Sequence, residues 1–320
     1  ELSGKVAGVN IKRNNNFGGS SSIVSRGVKS LTGSNEMLIV IDGMPINNSL
    51  VTGSTGGQTS GAGGTYDYGN AAMDINPEDI ESVNILKGAA ASALYGYLGG
   101  NGVVMITTKK GRAKKGLGIT VSSEFVGSTI DKSTFVKYQD KYGAGYGPFY
   151  EDASGFFLSR DINGDGVDDL VVPTSEDASY GAAFDPNLMV YNWNAFTPWS
   201  DSFGKATPWV AAKNDPTTFF QTGTSFNNSV SLEDGNDTTN FVLNYTNSKQ
   251  TGILPNSDMK KNSISAKINH QFSDKLSASV FANYNSQNTV GRNSTGYNEN
   301  IMSMFRQWWQ TNVDVQELKQ

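Results

Sequence analysis

From residue 119 onward the chain shows a pattern that repeats every two residues. Ile264, Ala266, Ile268 and Phe272 alternate with Ser265, Lys267, Asn269 and Gln271. Leu276, Ala278, Val280, Ala282 and Tyr284 alternate with Ser277, Ser279 and Asn283. Phe241, Leu243 and Tyr245 share a parity opposite to Asn244 and Thr246; Phe226, Val230 and Leu232 form a similar set, and Ile119–Val126 alternates imperfectly. Period two gives a strand one apolar and one polar face. A soluble sandwich and a membrane barrel both produce such strands. Connection lengths favour the barrel. Asp234–Thr238 and Ser273-Asp274 are short links, whereas about 90 residues separate Val126 from Phe226, Gln250–Lys261 is another long link, and a third begins at Asn288. Short turns on one side and long loops on the other are the barrel arrangement, and strands of ~9–11 residues suit a tilted bilayer crossing. About five strands are visible, too few to close a barrel of ~8 or more. Either the segment is the N-terminal part of a larger barrel or the strands do not form a barrel.

The first 118 residues read differently. Val9–Lys12, Met37–Ile41, Val83–Leu86 and Val103–Thr108 are short apolar or β-branched runs bounded by turn residues, each strand-like. Met37–Ile41 runs into Asp42-Gly43, a turn signal. After Gly88, Ala89–Leu94 has the composition of a short helix, and Gly96 stops it. Gly53–Gly64, rich in Gly, Ser and Thr, is expected to be a flexible loop. Lys109–Lys115 marks a boundary and reads as a solvated linker. The expected organisation is a mixed α/β unit over 1–115, then antiparallel strands over 116–320 with a long loop at about 128–224.

Composition narrows the function classes. Lys plus Arg is 25 against 30 for Asp plus Glu, a net charge of −5, which argues against a general nucleic-acid binder. There is no Cys, hence no disulfide, thiolate nucleophile or Cys-ligated metal. A single His, His270, excludes a multi-histidine metal site; it lies on the apolar parity of its strand near a turn and reads as a packed residue. No apolar run approaches the ~18 residues of a membrane helix. Glycine, at 36 of 320 residues, suits strands and turns. The sequence opens at Glu1 without Met or a leader-like segment, compatible with a mature or truncated form.

The motifs of the first unit are LSGKVAGVNIK (2–12), SRGVKS (25–30), LIVIDGMPI (38–46), PEDIESVNILKGAAASALYG (77–96) and NGVVMITTKKG (101–111). Together they resemble the plug domain of SusC/RagA-type TonB-dependent outer-membrane transporters. EDASYGAAFDPNLMVYNWNAF (176–196), GILPNS (252–257), GRNSTGYNENIMSMFRQWW (291–309) and NVDV (312–315) resemble the first barrel strands and loops of the same group. The resemblance implies a mixed α/β plug domain followed by antiparallel transmembrane β-barrel strands, the first part of a barrel of 22 strands in the family. It implies import of bulky nutrients, glycan oligosaccharides or peptides, across the outer membrane of a Gram-negative bacterium. The implied partners are TonB–ExbB–ExbD and a SusD-like lipoprotein lid, and no catalytic residue is implied. The rest of the barrel, and the extension and TonB box often found ahead of the plug, are expected to lie outside this sequence. The plug-motif positions are Arg26, Asp42, Gly43, Lys87, Gly88, Tyr95, Gly96, Asn101 and Gly102. Where the family often has Arg after LYG, this chain has Leu98, which removes one plug-to-wall contact the family could offer. Arg26 reads either as a plug–barrel latch or as ordinary packing of a turn.

Two constellations suggest ligand chemistry. Asp161, Asn163 and Asp165 stand at positions 1, 3 and 5 of a calcium-loop pattern, with Gly166 at 6, the Val167 carbonyl at 7 and Asp169 at 9. Val172 replaces the usual Glu at 12, so Asp152 or Glu176 would have to complete the shell; the alternative is an Asp/Asn/Gly turn without an ion. The loop is expected to bind Ca²⁺, which would order a segment too polar to fold on apolar burial. Trp193, Trp199 and Trp209 could stack on sugar rings, although most of the Trp residues, Trp308 and Trp309 included, are expected to be structural. Gly143, Gly145 and Gly147 lack the Lys and the strand–helix context of a phosphate loop. The functional alternative to transport is an extracellular calcium-binding β-sheet adhesin or glycan-binding module; no Asp/Glu spacing singles out a hydrolase.

Overall fold

The computed structural model describes residues 7–13, 18–49, 52–54, 65–111, 116–296 and 300–319. The N-terminal module opens with an antiparallel pair, β1 (Val9–Arg13) and β2 (Ser21–Ser25). Next come β3 (Leu38–Ile41), β4 (Met44–Ile46), β5 (Thr52–Ser54), β6 (Thr65–Asp67), β7 (Ile80–Leu86), helix α1 (Ala89–Tyr95) and β8 (Val103–Thr108). Four of these strands form a mixed sheet in the order β4-β3-β8-β7, with β3 and β8 parallel and the other neighbours antiparallel. The two-residue link between β3 and β4 is Asp42-Gly43, at φ 47° and 90°. Positive φ at both central residues is the hairpin turn that matches strand twist, and Asp and Gly tolerate it best. β3 and β8 are buried on both faces, hence their unbroken apolar runs. Met37, Ile39, Val104 and Ile106 pack on one side; Val40 and Val103 meet Ala91 of α1 on the other.

The sequence reading missed β2, β4, β5 and β6, because strands of three to five residues are too short to show a periodicity. Gly53 and Ser54, expected in a loop, pair with Tyr66 and Thr65. The rest of that expected loop, 55–64, and linker residues 112–115 lie outside the described residues.

β9 (Gly118–Ser128) begins a second sheet. Residues 129–222 then belong to a second compact unit, with β10 (Leu158–Arg160) paired to β11 (Asp169–Val171) and β12 (Asp185–Val190) paired to β13 (Thr207–Trp209). The sheet resumes with β14 (Gly223–Gly235), β15 (Thr239–Thr251), β16 (Asp258–Ser273) and β17 (Leu276–Val290). Its order is β9-β14-β15-β16-β17, each neighbour antiparallel. It belongs to the same compact unit as the N-terminal module.

This sheet is inside out by the standards of a soluble protein. Val121, Val230, Tyr245, Ile264 and Tyr284 sit in one cross-strand row, and Ile119, Leu232, Leu243, Ala266 and Ala282 in another. Apart from half-buried Leu232, the large apolar members of these rows are exposed: Leu243 is 39% and Val280, in the next row, 63% accessible. The row between the first two, Thr120, Ser231, Asn244, Ser265 and Asn283, is polar. Its central members Asn244 and Ser265 are buried against the N-terminal module, as is Lys267. A soluble sandwich buries its apolar face and wets its polar one; apolar outside and polar inside is the pattern of a membrane barrel wall.

β9 has 11 residues, within the 9–11 expected, but β14 to β17 have 13 to 16. The excess is mostly polar, apart from Phe125 and Phe226, which meet at 4.8 Å on the outer parity of β9 and β14. The apolar outer band ends at Tyr245, Ile264 and Tyr284; the next outer row is Ser123, Asn228, Asn247, Asn262 and Ser286. Tyr245 donates its hydroxyl to Asn262 Oδ1 at 3.0 Å, so the ring covers apolar surface and its tip meets the polar row, as at a membrane boundary. The ladder simply continues past the band. The expected long link Gln250–Lys261 therefore shrinks to 252–257.

The second compact unit, built from 129–222 and the segment carrying α2 (Ile301–Gln307), has its own apolar core. Trp209 is fully buried among Ala144, Phe157, Val172, Ala182 and Val190, with Phe157 edge-on at 5.2 Å and Phe184 at 5.3 Å. This corrects the expectation that the long segment is too polar to order itself. Its aromatics are scattered between turns and show no period, yet they converge.

Candidate functional site

The seam between the N-terminal module and the inner face of the long sheet concentrates the polar chemistry of the first unit. Lys267 projects from β16 on the polar parity and is only 4% exposed in its side chain. Its Nζ lies 2.8 Å from Asp42 Oδ2 and 2.6 Å from Thr108 Oγ1. Asp42 also accepts the Thr108 N–H at 2.9 Å and its hydroxyl at 2.6 Å. The hairpin turn that places Asp42 at the sheet edge thus points a carboxylate at the wall. Burial pushes the Asp42 carboxyl up, but hydrogen bonds from Lys267 and Thr108 outweigh it and hold the group below the usual carboxylate range.

Asp79 is the second carboxylate at the seam, and its surroundings differ. It closes the turn Pro77–Asp79, capped by Asn76, and is 3% exposed. Asn244 Nδ2 donates to its Oδ1 at 2.7 Å and Ser265 Oγ at 2.5 Å, both from the wall. Burial pushes this carboxyl above its ordinary value, and the two neutral donors only partly offset it. Further neutral bonds line the seam: Asn76 Nδ2 to Thr246 Oγ1 at 2.9 Å, and Asn285 Nδ2 to the Asp74 carbonyl at 2.8 Å. Lys261 reaches the Met73 carbonyl at 2.6 Å, and Arg292 reaches the Asp67 carbonyl at 2.8 Å and lies over the Tyr68 ring.

Most of the residues singled out in the motifs hold the module together. Gly102, at φ 101°, leaves no room for a Cβ beside Met37 and the Leu86 carbonyl. Gly88 and Gly96 flank α1 at φ 59° and 57°. Tyr95 packs with Val40, Ala91 and Val103. Asn101 donates to the Ser34 carbonyl at 2.7 Å, and Lys87 to the Ala7 carbonyl. Arg26 is exposed at φ 59°, and among the described residues its side chain makes no hydrogen bond or ion pair. The bonds to the wall come instead from Asp42, Asn76, Asp79 and Thr108. Leu98, where the family often has Arg, is exposed.

In the loop with the calcium pattern the side chains bond to nearby backbone amides. Asp161 accepts the Gly164 and Gly166 amides at 2.7 and 3.0 Å, Asn163 the Asp165 amide, Asp165 the Val167 amide and Asp169 the Ile162 amide. Among the described residues no three His, Cys, Asp or Glu side chains converge on a metal position. Asp and Asn interleaved with Gly also build local side-chain-to-amide turns, and Asp161, Asn163, Asp165 and Asp169 make such bonds while the Val167 side chain is exposed. Of the three Trp residues suggested for ligand stacking, Trp209 is corrected to a core residue donating Nε1–H to the Ala182 carbonyl at 3.2 Å. Trp199 is exposed and Trp193 half-buried. Gly143 abuts the Trp209 ring, which explains that glycine by packing. His270 packs edge-on against Phe272 and shares a 2.7 Å hydrogen bond with Thr239 Oγ1, a packed residue near the turn.

Sequence reasoning placed Lys267 on the polar face but did not single it out. A lone Lys in a row of Ser and Asn facing a lumen was the available signal. Asp79, inside the PEDIESV motif, carried no distinguishing mark.

Residues 1–103 match the TonB-dependent receptor plug domain. The chain is 38% identical over 144 residues to the TonB-dependent receptor SusC of Bacteroides thetaiotaomicron, covering 45% of this chain and 13% of that protein. It is 33% identical over 153 residues to the TonB-dependent receptor P3 of Formosa agariphila, again 45% of this chain and 13% of the relative. Among solved structures, the RagAB peptide importer in its open-open state matches with TM-score 0.54 at 20% identity over 92% of this chain, and in its closed-closed state with TM-score 0.57 at 19% identity over 98%. These matches span 28% and 32% of the RagAB chains. The chain belongs to the SusC/RagA-type TonB-dependent receptors, contributing a plug domain and strands of the barrel wall.

Proposed function

We propose that the protein containing this chain sits in the outer membrane and imports a bulky nutrient, an oligosaccharide or a peptide. TonB–ExbB–ExbD would energise it and a SusD-like lipoprotein would close over its outer mouth. One observation carries the reading: the wall turns its apolar face outward and bonds its polar face to the plug. A plug held mainly by neutral hydrogen bonds and one ion pair sits in a seam that water can re-satisfy bond by bond. Each neutral bond contributes only about 0.5–1.5 kcal/mol net, so a pull applied to the plug meets a series of small steps. RagAB is described as a peptide importer and SusC as a TonB-dependent receptor, which supports import of a large polar solute without choosing between the two classes.

Locking the seam tests this. The chain has no Cys, so a pair introduced at Asn76 and Thr246, whose side chains touch at 2.9 Å, would be the sole disulfide in this part of the protein. In the full-length receptor, expressed in its host and grown on maltooligosaccharides or on casein peptides as sole carbon source, oxidation should abolish the supported growth and a reductant should restore it. Unchanged growth with the crosslink verified on a gel would sink the proposal.

A further inference from the structure

Asp79 is a buried acid without a cation. Its neighbours can be named from every element that packs on it. On the plug, Glu78 is adjacent and Lys109 pairs with Glu78 at 3.9 Å, while the Lys109 amide donates to the Asp79 carbonyl. On the wall, Asn244 and Ser265 supply neutral donors. Lys267, two residues along β16, is committed to Asp42 and Thr108. Glu233 of β14 lines, together with Glu78, Lys109, Ser231 and Asn244, a cavity of about 220 Å³ at the same seam. The nearest charges are therefore an exposed Glu–Lys pair, a second Glu, and a Lys already neutralised.

A second observation points the same way. Asn244 is 3% exposed, and among the described residues its Oδ1 is a buried acceptor with no partner, although its Nδ2 donates to Asp79. A buried acceptor left unmade costs about 1–3 kcal/mol. A carboxylic acid facing a primary amide closes a reciprocal pair: the amide N–H donates to one carboxyl oxygen, and the acid O–H donates to the amide oxygen. A carboxylate can make only the first half. We propose that Asp79 carries a proton while the plug is seated, donating it to Asn244 Oδ1, and that unseating the plug releases this proton to water. No bond other than O–H is broken; Asp79 leaves the seam as a carboxylate solvated by water, and Asn244 Oδ1 gains water as donor.

The direction in which burial moves the Asp79 carboxyl agrees with this. A group whose value is raised in the seated state favours seating fully at low pH, and that contribution fades as pH rises through the raised value. Between the unseated value near 3.8 and the seated one, the seating equilibrium should weaken by up to about tenfold per pH unit. Asp42 acts in the opposite sense and in a different window. Its lowered value makes its contribution fade as pH falls below about 3.8, so the two effects separate on the pH axis.

The test uses the full-length receptor in detergent, in D₂O buffer at pH 6. Infrared spectroscopy should show a protonated-carboxyl C=O band in the wild type that disappears in Asp79→Asn. Asn is isosteric and neutral, so it keeps the Ser265 contact and a plug that seats. A spin-label pair on plug and wall should then report seating that weakens with rising pH above 4 in the wild type and is flat in Asp79→Asn. A band absent from the wild type, a band retained in Asp79→Asn, or the same pH dependence in both proteins would each overturn the proposal.

Discussion

Replacing Lys267 with Met should weaken plug seating by on the order of 3 kcal/mol, the scale for removing one partner of a buried ion pair. The cost arises on the plug side. Asp42 would keep its two bonds from Thr108 but face the wall without its cation. Asp42 retains 26% side-chain exposure, so water can recover part of the loss and the low end of the ~3–5 kcal/mol range applies. The companion change Asp42→Asn should return most of it in the double variant, because Asn tolerates the positive φ of the hairpin turn and leaves no unpaired charge. In the full-length receptor, denaturant titration of a spin-label distance between plug and wall would read both effects. The pH dependence has a definite sign: wild-type seating should lose the Asp42 contribution below pH 3.8, while the Lys267→Met variant, left with the Thr108 bonds alone, should show a smaller loss. A Lys267→Met variant as firmly seated as the wild type would mean that the pair is incidental.

An arginine placed on the outer face should cost about 2–4 kcal/mol when it falls near mid-bilayer. Leu243 is the position of choice. It lies in the row with Leu232 and Ala266, one row inside the Tyr245 boundary. Asn283→Arg on the inner parity of β17 is the control, expected to cost less than 1 kcal/mol, since an exposed surface change usually stays within about ±0.5 kcal/mol. Folding of the full-length protein into phospholipid vesicles, followed by urea titration, measures the two. Equal costs would argue that both faces meet the same medium.

The barrel strands were readable because their information is local. Alternation fixes which residues share a face, and the register of β14 to β17 then follows from short turns at 236–238 and 274–275. Alternation alone could not say which face is covered. That depends on the plug, whose Asp42 meets Lys267 across 225 residues of sequence. The ends of the strands were misjudged because the hydrogen-bond ladder outlasts the apolar pattern beyond Tyr245 and Tyr284. In the long segment after β9 no period exists to read: Ala144, Phe157, Val172, Val190 and Trp209 are spread over turns and three-residue strands, and only the folded chain brings them together. The Asp161–Asp169 loop was ambiguous for a chemical reason. The oxygen spacing that could surround a cation also satisfies backbone amides, as Asp161 does for Gly164 and Gly166. Most of the plug-motif positions turned out to serve the plug's own packing, while the contacts to the wall rest chiefly on residues no local pattern marks.

The most direct measurement of the central claim is the environment of two adjacent positions on β17. Val280 belongs to the apolar outer rows, and Ser279, whose hydroxyl bonds Asn269 at 2.7 Å, to the polar inner ones. Single nitroxide labels at 279 and 280 of the full-length receptor in phospholipid vesicles should differ in opposite senses. Relaxation by lipid-soluble oxygen should dominate at 280 and relaxation by a water-soluble nickel chelate at 279. Equal accessibility of both positions to the nickel chelate would contradict a membrane-facing wall.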